Sequence, residues 1–311
     1  MSPKVSVVMA VYNGERYLRQ AIDSILSQTF TNFEFIIIDD ASTDRTAAIL
    51  RSYVDPRVRW IKNPENLGLA RSLNIGFDSG SGEYIARMDS DDVSLPQRLQ
   101  RQVAYMDEHP EIAASGTWAH DIDQAGNILS LRCVPVGKRM DYDFWRPSPL
   151  IHPSTIIRRM HLGDLRYDSE IKYAQDFDLW LRLRKKHKLD NLPEYLLLYR
   201  VHDQSTTQRN YQNQLCSAYE ALRRQTELLM SYEVFLEFLG DEANPIRHFI
   251  LTHRMAKALQ RPYRFYITGD VRYAREWLRP RLKLRVVKTK VLRLFISVWR
   301  RLKNPSEPMI H

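Results

Sequence analysis

Three aspartates fall within four residues at positions 89, 91 and 92, directly after the strand-like run Tyr84–Met88. Two carboxylates about 4 Å apart repel by roughly 4 kcal/mol at the effective dielectric of a protein, so such a cluster needs water, hydrogen-bond donors or a cation to compensate it. Carboxylate oxygens are hard ligands that suit Mg²⁺ or Mn²⁺ shared with substrate phosphates. The cluster therefore predicts either a solvated loop that caps the next helix or a divalent-cation site.

A second acidic pair, Asp39 and Asp40, follows the apolar run Phe33–Ile38. An aspartate here can cap the next helix, as can the serine and aspartate at positions 42 and 44. Asp40 can instead accept a hydrogen bond from the imide N–H of a pyrimidine base. Tyr12, which ends the first apolar run, can either stack on that base or pack against its neighbours.

The elements that must position these residues are apolar, β-rich runs that alternate with amphipathic segments through the first half of the chain. This alternation predicts an α/β fold with a parallel sheet flanked by helices. The predicted strands are Val5–Val11, Phe33–Ile38, Val58–Ile61 and Glu83–Met88, and the predicted helices are Glu15–Gln28, Ser42–Tyr53 and Leu69–Ser79. Ligands bind at the carboxyl edge of such sheets, so the loops that carry Tyr12, Asp40 and the three aspartates should converge on one crevice.

The pattern changes at about residue 111. From there to Arg200 we expect shorter strands, a proline-rich passage at Arg146–Ser154 and a helix over Asp176–His187, in which Asp178 should be exposed. After Gln208 the chain is helical and polar in pattern.

The net charge of +9 is concentrated in the tail, where residues 272–303 carry 12 Lys/Arg against one acid. The rest of the chain is therefore near neutral and lacks the basic, aromatic-rich face of a nucleic-acid-binding protein, so no nucleic-acid partner is expected. Residues 282–302 predict a basic amphipathic helix. Such a helix either binds an anionic membrane surface or packs on the body with a solvated basic face.

The two cysteines, Cys133 and Cys216, have no spacing typical of a zinc site or a disulfide framework. The first apolar run is too short for a signal peptide, and no run reaches the ~18 apolar residues needed to span a bilayer. The expected location is cytoplasmic, with peripheral attachment to the inner face of the plasma membrane if the tail binds lipid.

Seven motifs together resemble the inverting nucleotide-sugar glycosyltransferases of family 2, which have the A-type glycosyltransferase fold. In order, the motifs are VSVVMAVYNGERYL, SILSQTFTNFEFIIIDDASTD, NPENLGLARSLNIG, GEYIARMDSDD, HPSTIIRR, AQDFDLWLRL and LLLYRVH. The resemblance covers residues 4–202, and seven ordered motifs are far more specific than any one of them. It implies a catalytic domain over residues 1–208, with a nucleotide-sugar half at 1–110 and an acceptor half at 111–208, and a helical C-terminal extension at 209–311.

The resemblance also implies roles for the loop residues. It implies that the nucleoside is held by Val11, Tyr12, Glu15 and Asp40. Asp89 and Asp91 would serve the ribose and the metal, Mn²⁺ or Mg²⁺, and Asp92 would share the metal. Whether Asp91 or Asp92 ligates directly stays open, as does whether His202 reaches the metal or diphosphate or is an ordinary packed histidine.

For the acceptor, the resemblance implies that Asp176 is the general base, although the acidic residue that often precedes it in the family is Gln175 here. His152 either contacts the acceptor or braces the Pro153 turn. The implied reaction transfers a sugar from a nucleotide-diphosphate donor, UDP-sugar foremost, to a glycan or lipid-linked hydroxyl in cell-surface polysaccharide biosynthesis, with inversion. Two alternatives stay open: donor binding without turnover, which Gln175 suggests, and nucleic-acid binding through the tail. Oligomeric state is left open.

Overall fold

The computed structural model describes residues 2–140, 149–202 and 211–226. Nine strands form one sheet in this part of the chain: β1 (Val5–Val11), β2 (Phe33–Asp39), β3 (Val58–Lys62), β4 (Tyr84–Met88), β5 (Val93–Ser94), β6 (Ile112–Ile122), β7 (Ile128–Arg132), β8 (Ile156–Arg158) and β9 (Lys188–Arg200). Their order across the sheet is β3-β2-β1-β4-β8-β6-β9-β5, and β7 pairs with β6.

The helices of the described residues surround this sheet. They are α1 (Leu18–Leu26), α2 (Thr46–Arg51), α3 (Leu69–Ser79), α4 (Arg98–Glu108), α5 (Arg159–Leu162), α6 (Gln175–Arg184) and α7 (Tyr211–Thr226), with a 3₁₀ turn at His152–Ser154. The sequence predicts α3 to the residue. It places α1 and α2 correctly but too long, because both helices begin three or four residues later and end two residues earlier than predicted.

The first four strands are parallel, as the sequence predicts. β1 pairs in parallel with β2 and β4, and β2 with β3. Every residue of β1 is buried, which is typical of a parallel strand covered on both faces. On one face α3 comes so close that a side chain at Gly76 would collide with Val8. Parallel strands end at the same edge, so the loops that follow β1, β2 and β4 lie together.

The second half of the sheet departs from the prediction of short strands. β6 has 11 residues and β9 has 13, and the two run parallel to each other. Their register shifts at several points, for example between Thr117 and Trp118. Such bulges interrupt the alternation of polar and apolar residues along a strand, which is why the sequence pattern reads as shorter pieces.

α7 packs against α6 through polar contacts that bury Asp178. The Asp178 carboxylate pairs with Arg182 at 2.7 Å and accepts a hydrogen bond from Gln225 Nε2 at 3.0 Å. Asp178 is only 1% exposed, so the expectation of an exposed Asp178 is wrong. Two neighbours, one of them 47 residues away in sequence, replace the solvent that the prediction assumed.

The proline-rich passage falls partly outside the described residues. The predicted boundary between residues 208 and 209 and the predicted amphipathic tail at 282–302 also lie outside them. Within the described residues, no helix combines the length and the apolar character that crossing a bilayer requires.

Candidate active site

The loop after β1 is hydrogen-bonded to the loop after β2. Asn13 N–H donates to Ser42 Oγ at 3.0 Å, and Gly14 N–H donates to Thr46 Oγ1 at 2.9 Å. Asn13 and Ala41 have φ values of +52° and +61°, a region that residues other than glycine rarely occupy. Backbone strain of this kind persists where the surrounding contacts enforce it, and it clusters at functional sites.

Three residues with predicted nucleoside contacts lie in or beside the first of these loops. Val11 is buried at the end of β1, whereas the Tyr12 side chain is 51% exposed and accessible to a flat ligand. Glu15 Oε2 accepts hydrogen bonds from Arg45 N–H at 3.0 Å and from Arg45 Nε–H at 3.2 Å. Glu15 thus links the two loops, and its predicted contact with a nucleoside stays a prediction.

Asp40 is buried at the end of β2, where its carboxylate organises the segment before α3. Oδ1 accepts hydrogen bonds from Asn63 Nδ2 at 2.7 Å and from Leu67 N–H at 2.8 Å, and Oδ2 accepts one from Gly68 N–H at 2.9 Å. A carboxylate oxygen has two lone pairs, so Oδ2 retains capacity for one more donor. The proposed role towards a base is therefore compatible with this geometry.

The three aspartates of the loop after β4 form one cluster. Asp89, Asp91 and Asp92 each offer a carboxylate oxygen, and these oxygens lie within 4.8 Å of one another. Asp89 forms an ion pair with the buried Arg87, and Asp91 Oδ2 lies 2.9 Å from His202 Nε2. We call Asp89, Asp91 and Asp92 the aspartate triad.

Asp92 is the most buried member of the triad, at 1% exposed. Its Oδ1 accepts a hydrogen bond from Arg200 N–H at 2.7 Å. Its Oδ2 is buried and has no hydrogen-bond partner among the described residues. Burial raises the pKa of the Asp92 carboxyl well above its usual range, and the charges of Asp91 and Asp89 raise it further. The pKa of Asp89 is also raised by burial, against the opposing charge of Arg87.

A divalent cation fits this arrangement. A buried carboxylate oxygen without a partner is costly, and a cation removes both that cost and the repulsion within the triad. The donors are carboxylate oxygens with one imidazole nearby, a set that suits Mg²⁺ or Mn²⁺. The triad, with His202 beside it, thus offers ligand atoms that a cation could share, and its predicted role in metal binding stays a prediction.

Asp176, the predicted general base, lies in the first turn of α6. The helix begins after Ala174, whose φ of +56° turns the chain sharply into it. Burial raises the pKa of the Asp176 carboxyl, the charge of Asp89 raises it further, and the charge of Arg87 lowers it. The predicted base is thus close enough to the triad for their charges to interact.

His152, Tyr167 and Trp180 form a cluster of rings, and Trp180 lies one turn after Asp176 in α6. His152 Nε2 lies 2.7 Å from the Tyr167 hydroxyl. The rings of His152 and Trp180 are in edge-on contact, with their centroids 6.3 Å apart. Burial and the charge of Arg87 hold the pKa of His152 well below its usual range, so the ring is neutral at pH 7. His152 also opens the turn that contains Pro153, since Thr155 N–H donates to its carbonyl at 3.2 Å. The bracing role is therefore observed, and contact with an acceptor stays a prediction.

Comparison with known proteins decides the family. The model of the glycosyl transferase family 2 matches residues 6–166, which span β1 to α5 and include the triad. The chain belongs to glycosyl transferase family 2. An uncharacterised glycosyltransferase of Methanocaldococcus jannaschii is 35% identical over 229 residues, which cover 71% of this chain and 79% of that relative. The Escherichia coli O-antigen biosynthesis glycosyltransferase WbnJ is 33% identical over 231 residues, which cover 71% of this chain and 90% of WbnJ.

Solved structures share the fold of this family 2 glycosyltransferase. TarS from S. aureus (residues 1–349) in complex with UDP-GlcNAc matches with a TM-score of 0.58 at 18% identity, over 85% of this chain and 78% of that one. The mannosyltransferase PcManGT from Pyrobaculum calidifontis, in complex with GDP-Man and Mn²⁺, matches with a TM-score of 0.53 at 16% identity, over 83% and 85%. Against a longer TarS chain, the match covers 43% of that chain. The predicted A-type glycosyltransferase fold is confirmed.

Sequence reasoning missed buried arginines near the triad, and Arg87 and Arg98 are two of them. Arg87 is 2% exposed and interrupts the apolar run of β4, and a charge at such a position signals a buried partner. Arg98 is fully buried, and its guanidinium donates to the Pro153 carbonyl and, at 3.1 Å, to the Arg87 carbonyl. Arg98 thereby joins the end of β4 to the turn at His152–Ser154. It lies in α4, which is absent from the predicted helices.

Proposed function

We propose that this family 2 glycosyltransferase moves a sugar from a UDP-sugar to a hydroxyl of a glycan or lipid-linked acceptor, with inversion at the anomeric carbon. One observation carries the proposal: the aspartate triad, with its unpartnered buried Asp92 oxygen, lies within electrostatic reach of the Asp176 carboxyl. A donor diphosphate bound at the triad would present its sugar towards that carboxyl.

Different residues on the donor side would bind different parts of the nucleotide-sugar. The exposed ring of Tyr12 would stack on the uracil, and Asp40 Oδ2 would accept its imide proton. Asp89 would hold the ribose. Asp91, Asp92 and His202 would hold Mn²⁺ or Mg²⁺, which would neutralise the charge of the leaving diphosphate.

Asp176 would act on the acceptor. Its carboxylate takes the proton of the acceptor hydroxyl while the oxygen attacks the anomeric carbon, and the bond to the diphosphate oxygen breaks with its electron pair. One displacement inverts the anomeric configuration, and no covalent intermediate with the protein is needed. The raised pKa of Asp176 makes it a stronger base than an exposed aspartate.

Support for the donor and acceptor classes comes from the similar proteins. TarS is seen with UDP-GlcNAc, which supports UDP as the nucleotide, and PcManGT is seen with GDP-Man, which makes GDP the informative control. WbnJ acts in O-antigen biosynthesis, which supports a surface glycan as the product.

The experiment is a calorimetric titration of UDP, with GDP and TDP as controls, in Mn²⁺ and then in EDTA. We expect UDP to bind in Mn²⁺ more tightly than GDP or TDP, and to bind at least about 10-fold more weakly in EDTA or to Asp91→Ala. Asp78→Ala is the matched control, since Asp78 lies near the far end of α3 and pairs with Arg166. Failure of all three nucleotides to bind wild-type protein in either condition would overturn the proposal.

A second measurement separates transfer from binding alone. Gln175, which is buried beside Asp176, replaces an acid that is common in the resembling family. Screening UDP-sugars against free and lipid-linked glycans, with the product anomer assigned by NMR, tests transfer directly. Tight donor binding without transfer to any acceptor would instead support donor binding without turnover.

A further inference from the structure

Arg200, the last residue of β9, connects three segments that are distant in sequence. It is 2% exposed. Its Nε–H donates to the Asp91 carbonyl at 2.8 Å, and its Nη2 donates to Gln20 Oε1 at 2.7 Å. Its Nη1 donates to the carbonyls of Asp123 at 2.9 Å and Gln124 at 3.2 Å. One guanidinium thus ties the loop of the aspartate triad to α1 and to the turn between β6 and β7.

The backbone around Arg200 holds the same loop from its other side. Arg200 N–H donates to Asp92 Oδ1 at 2.7 Å, and His202, two residues later, contacts Asp91 Oδ2. The guanidinium also lies over the Tyr17 ring, 4.4 Å from its centroid. The main chain of Asp91 and the side chain of Asp92 are therefore both held by one residue.

The charge of Arg200 does not explain its place beside a cation site. A positive group next to a divalent cation repels it, and by Coulomb's law alone it weakens binding. The hydrogen bonds of the guanidinium in the described part of the chain go to carbonyl and amide oxygens. What the side chain supplies is a planar set of donors at fixed angles, which an ammonium group lacks.

We propose that Arg200 is a positioning residue: its guanidinium fixes the main chain at Asp91 and thereby the loop whose Asp92 side chain is held by the Arg200 N–H, so that the triad binds its cation. The inference rests on the proposed function, because the cation is that of the donor site. Some residues hydrogen-bond to metal ligands without touching the metal. Removing such a residue typically weakens metal affinity by about 10-fold to 100-fold.

The test measures Mn²⁺ affinity by electron paramagnetic resonance of the free ion, for wild-type protein, Arg200→Met and Arg200→Lys. We expect both variants to bind Mn²⁺ about 10-fold to 100-fold more weakly. For Arg200→Met, loss of a positive charge alone would make binding tighter, so the sign of the change separates positioning from electrostatics. The affinity for UDP in EDTA should be unchanged in both variants.

Arg158 offers a matched control. It is 6% exposed, and its guanidinium donates to the Tyr84 hydroxyl at 2.9 Å and to the Ile112 carbonyl at 3.5 Å. Tyr84 is the first residue of β4, so this arginine lies at the opposite end of the strand from the triad. Arg158→Lys should lower the melting temperature and leave Mn²⁺ affinity unchanged.

Equal or tighter Mn²⁺ binding by a folded Arg200→Met protein would overturn the inference. If that variant does not fold, Arg200→Lys decides, supported by Gln20→Ala, which removes a single exposed acceptor of the guanidinium and should weaken Mn²⁺ binding less. If wild-type protein binds neither Mn²⁺ nor a nucleotide, the proposed function fails and the inference fails with it.

Discussion

The two ends of β4 carry two clusters of charge that are built differently. At the amino end, Lys4 Nζ lies 2.8 Å from Glu83 and 3.1 Å from Asp107. The Tyr84 hydroxyl donates to Asp107 at 2.5 Å and accepts from Arg158 at 2.9 Å. Each charged or polar group in this cluster has an oppositely charged or hydrogen-bonding partner within the protein.

At the carboxyl end the acids are in excess. The aspartate triad faces the buried Arg87 and the imidazole of His202, and Asp92 Oδ2 has no partner among the described residues. Burial and mutual repulsion raise the pKa values of Asp92 and Asp89, which means that keeping them charged destabilises the cation-free protein.

The two ends of β4 therefore differ in what they contribute: one contributes stability, and the other offers a binding site for a cation. A network in which every group is satisfied contributes to stability and offers nothing to a ligand. A cluster left with unsatisfied buried charge costs stability, and a ligand that supplies the missing charge recovers that cost as binding energy. Four predictions follow from this comparison and from the proposed base.

The largest expected effect is on transfer, in Asp176→Asn. An amide cannot take the acceptor proton, so we expect kcat to fall by about 10²-fold to 10⁴-fold, the usual contribution of a general base. Donor affinity in Mn²⁺ should stay within about twofold of wild type, as measured by calorimetry. Loss of donor binding together with activity would mean that Asp176 belongs to the donor site instead.

The next effect compares Asp92→Asn with Asp107→Asn in cation-free buffer. The substitution at Asp92 replaces a buried, repelled carboxylate by a neutral amide of the same shape, so we expect the free energy of unfolding to rise by about 1–3 kcal/mol. The substitution at Asp107 leaves Lys4 with a weaker partner, so we expect a fall of up to about 1 kcal/mol. Urea denaturation measures both.

The pH dependence of stability provides a check on that pair. The pKa values of Asp92 and Asp89 in the folded, cation-free protein are raised above those of the unfolded chain. The folded protein therefore binds more protons, and its free energy of unfolding falls as pH rises from the ordinary carboxyl range through the raised pKa values. Asp92→Asn should flatten this decline; an unchanged decline would contradict the assignment of the excess charge to Asp92.

The smallest effect concerns the acid limb of kcat/KM. The base acts only when it is deprotonated, and the pKa of Asp176 is raised by burial. The rate should therefore begin to fall, on acidification, at a higher pH than an ordinary aspartate would give. Measuring UDP affinity in EDTA over the same pH range corrects for donor binding. If kcat/KM falls only at the pH where an ordinary exposed aspartate is protonated, the base is not the buried Asp176.

The donor half could largely be predicted from the sequence because its signals are local. β1, β2 and β4 are continuous apolar runs, and the polar residues that end them lie at the edge of the sheet by the geometry of parallel pairing. The family motifs added predicted roles for Tyr12 and Asp40, which no contact in the structure tests. Arg87 lies in the same stretch of sequence, within β4. Its burial depends on the elements that cover both faces of β4, and the local pattern does not specify them.

The acceptor half was harder because its contacts join residues far apart in the chain. Asp178 looked exposed on its own helix, yet Gln225 of α7 covers it. The lengths of β6 and β9 were hidden by bulges that break the alternating pattern. In both cases the deciding partner lies tens of residues away, beyond the range of any local pattern.

The sequence by itself determined the family, the parallel strands of the donor half and the three aspartates that follow β4. These depend on hydrophobic periodicity and on residue types at fixed local spacing. Only the tertiary structure decided that Arg200 holds the triad loop and that Asp92 keeps an oxygen without a partner among the described residues. The physical reason is that hydrogen bonding and desolvation depend on which distant groups meet, and only the folded chain brings Gln20, Asp91 and Arg200 together.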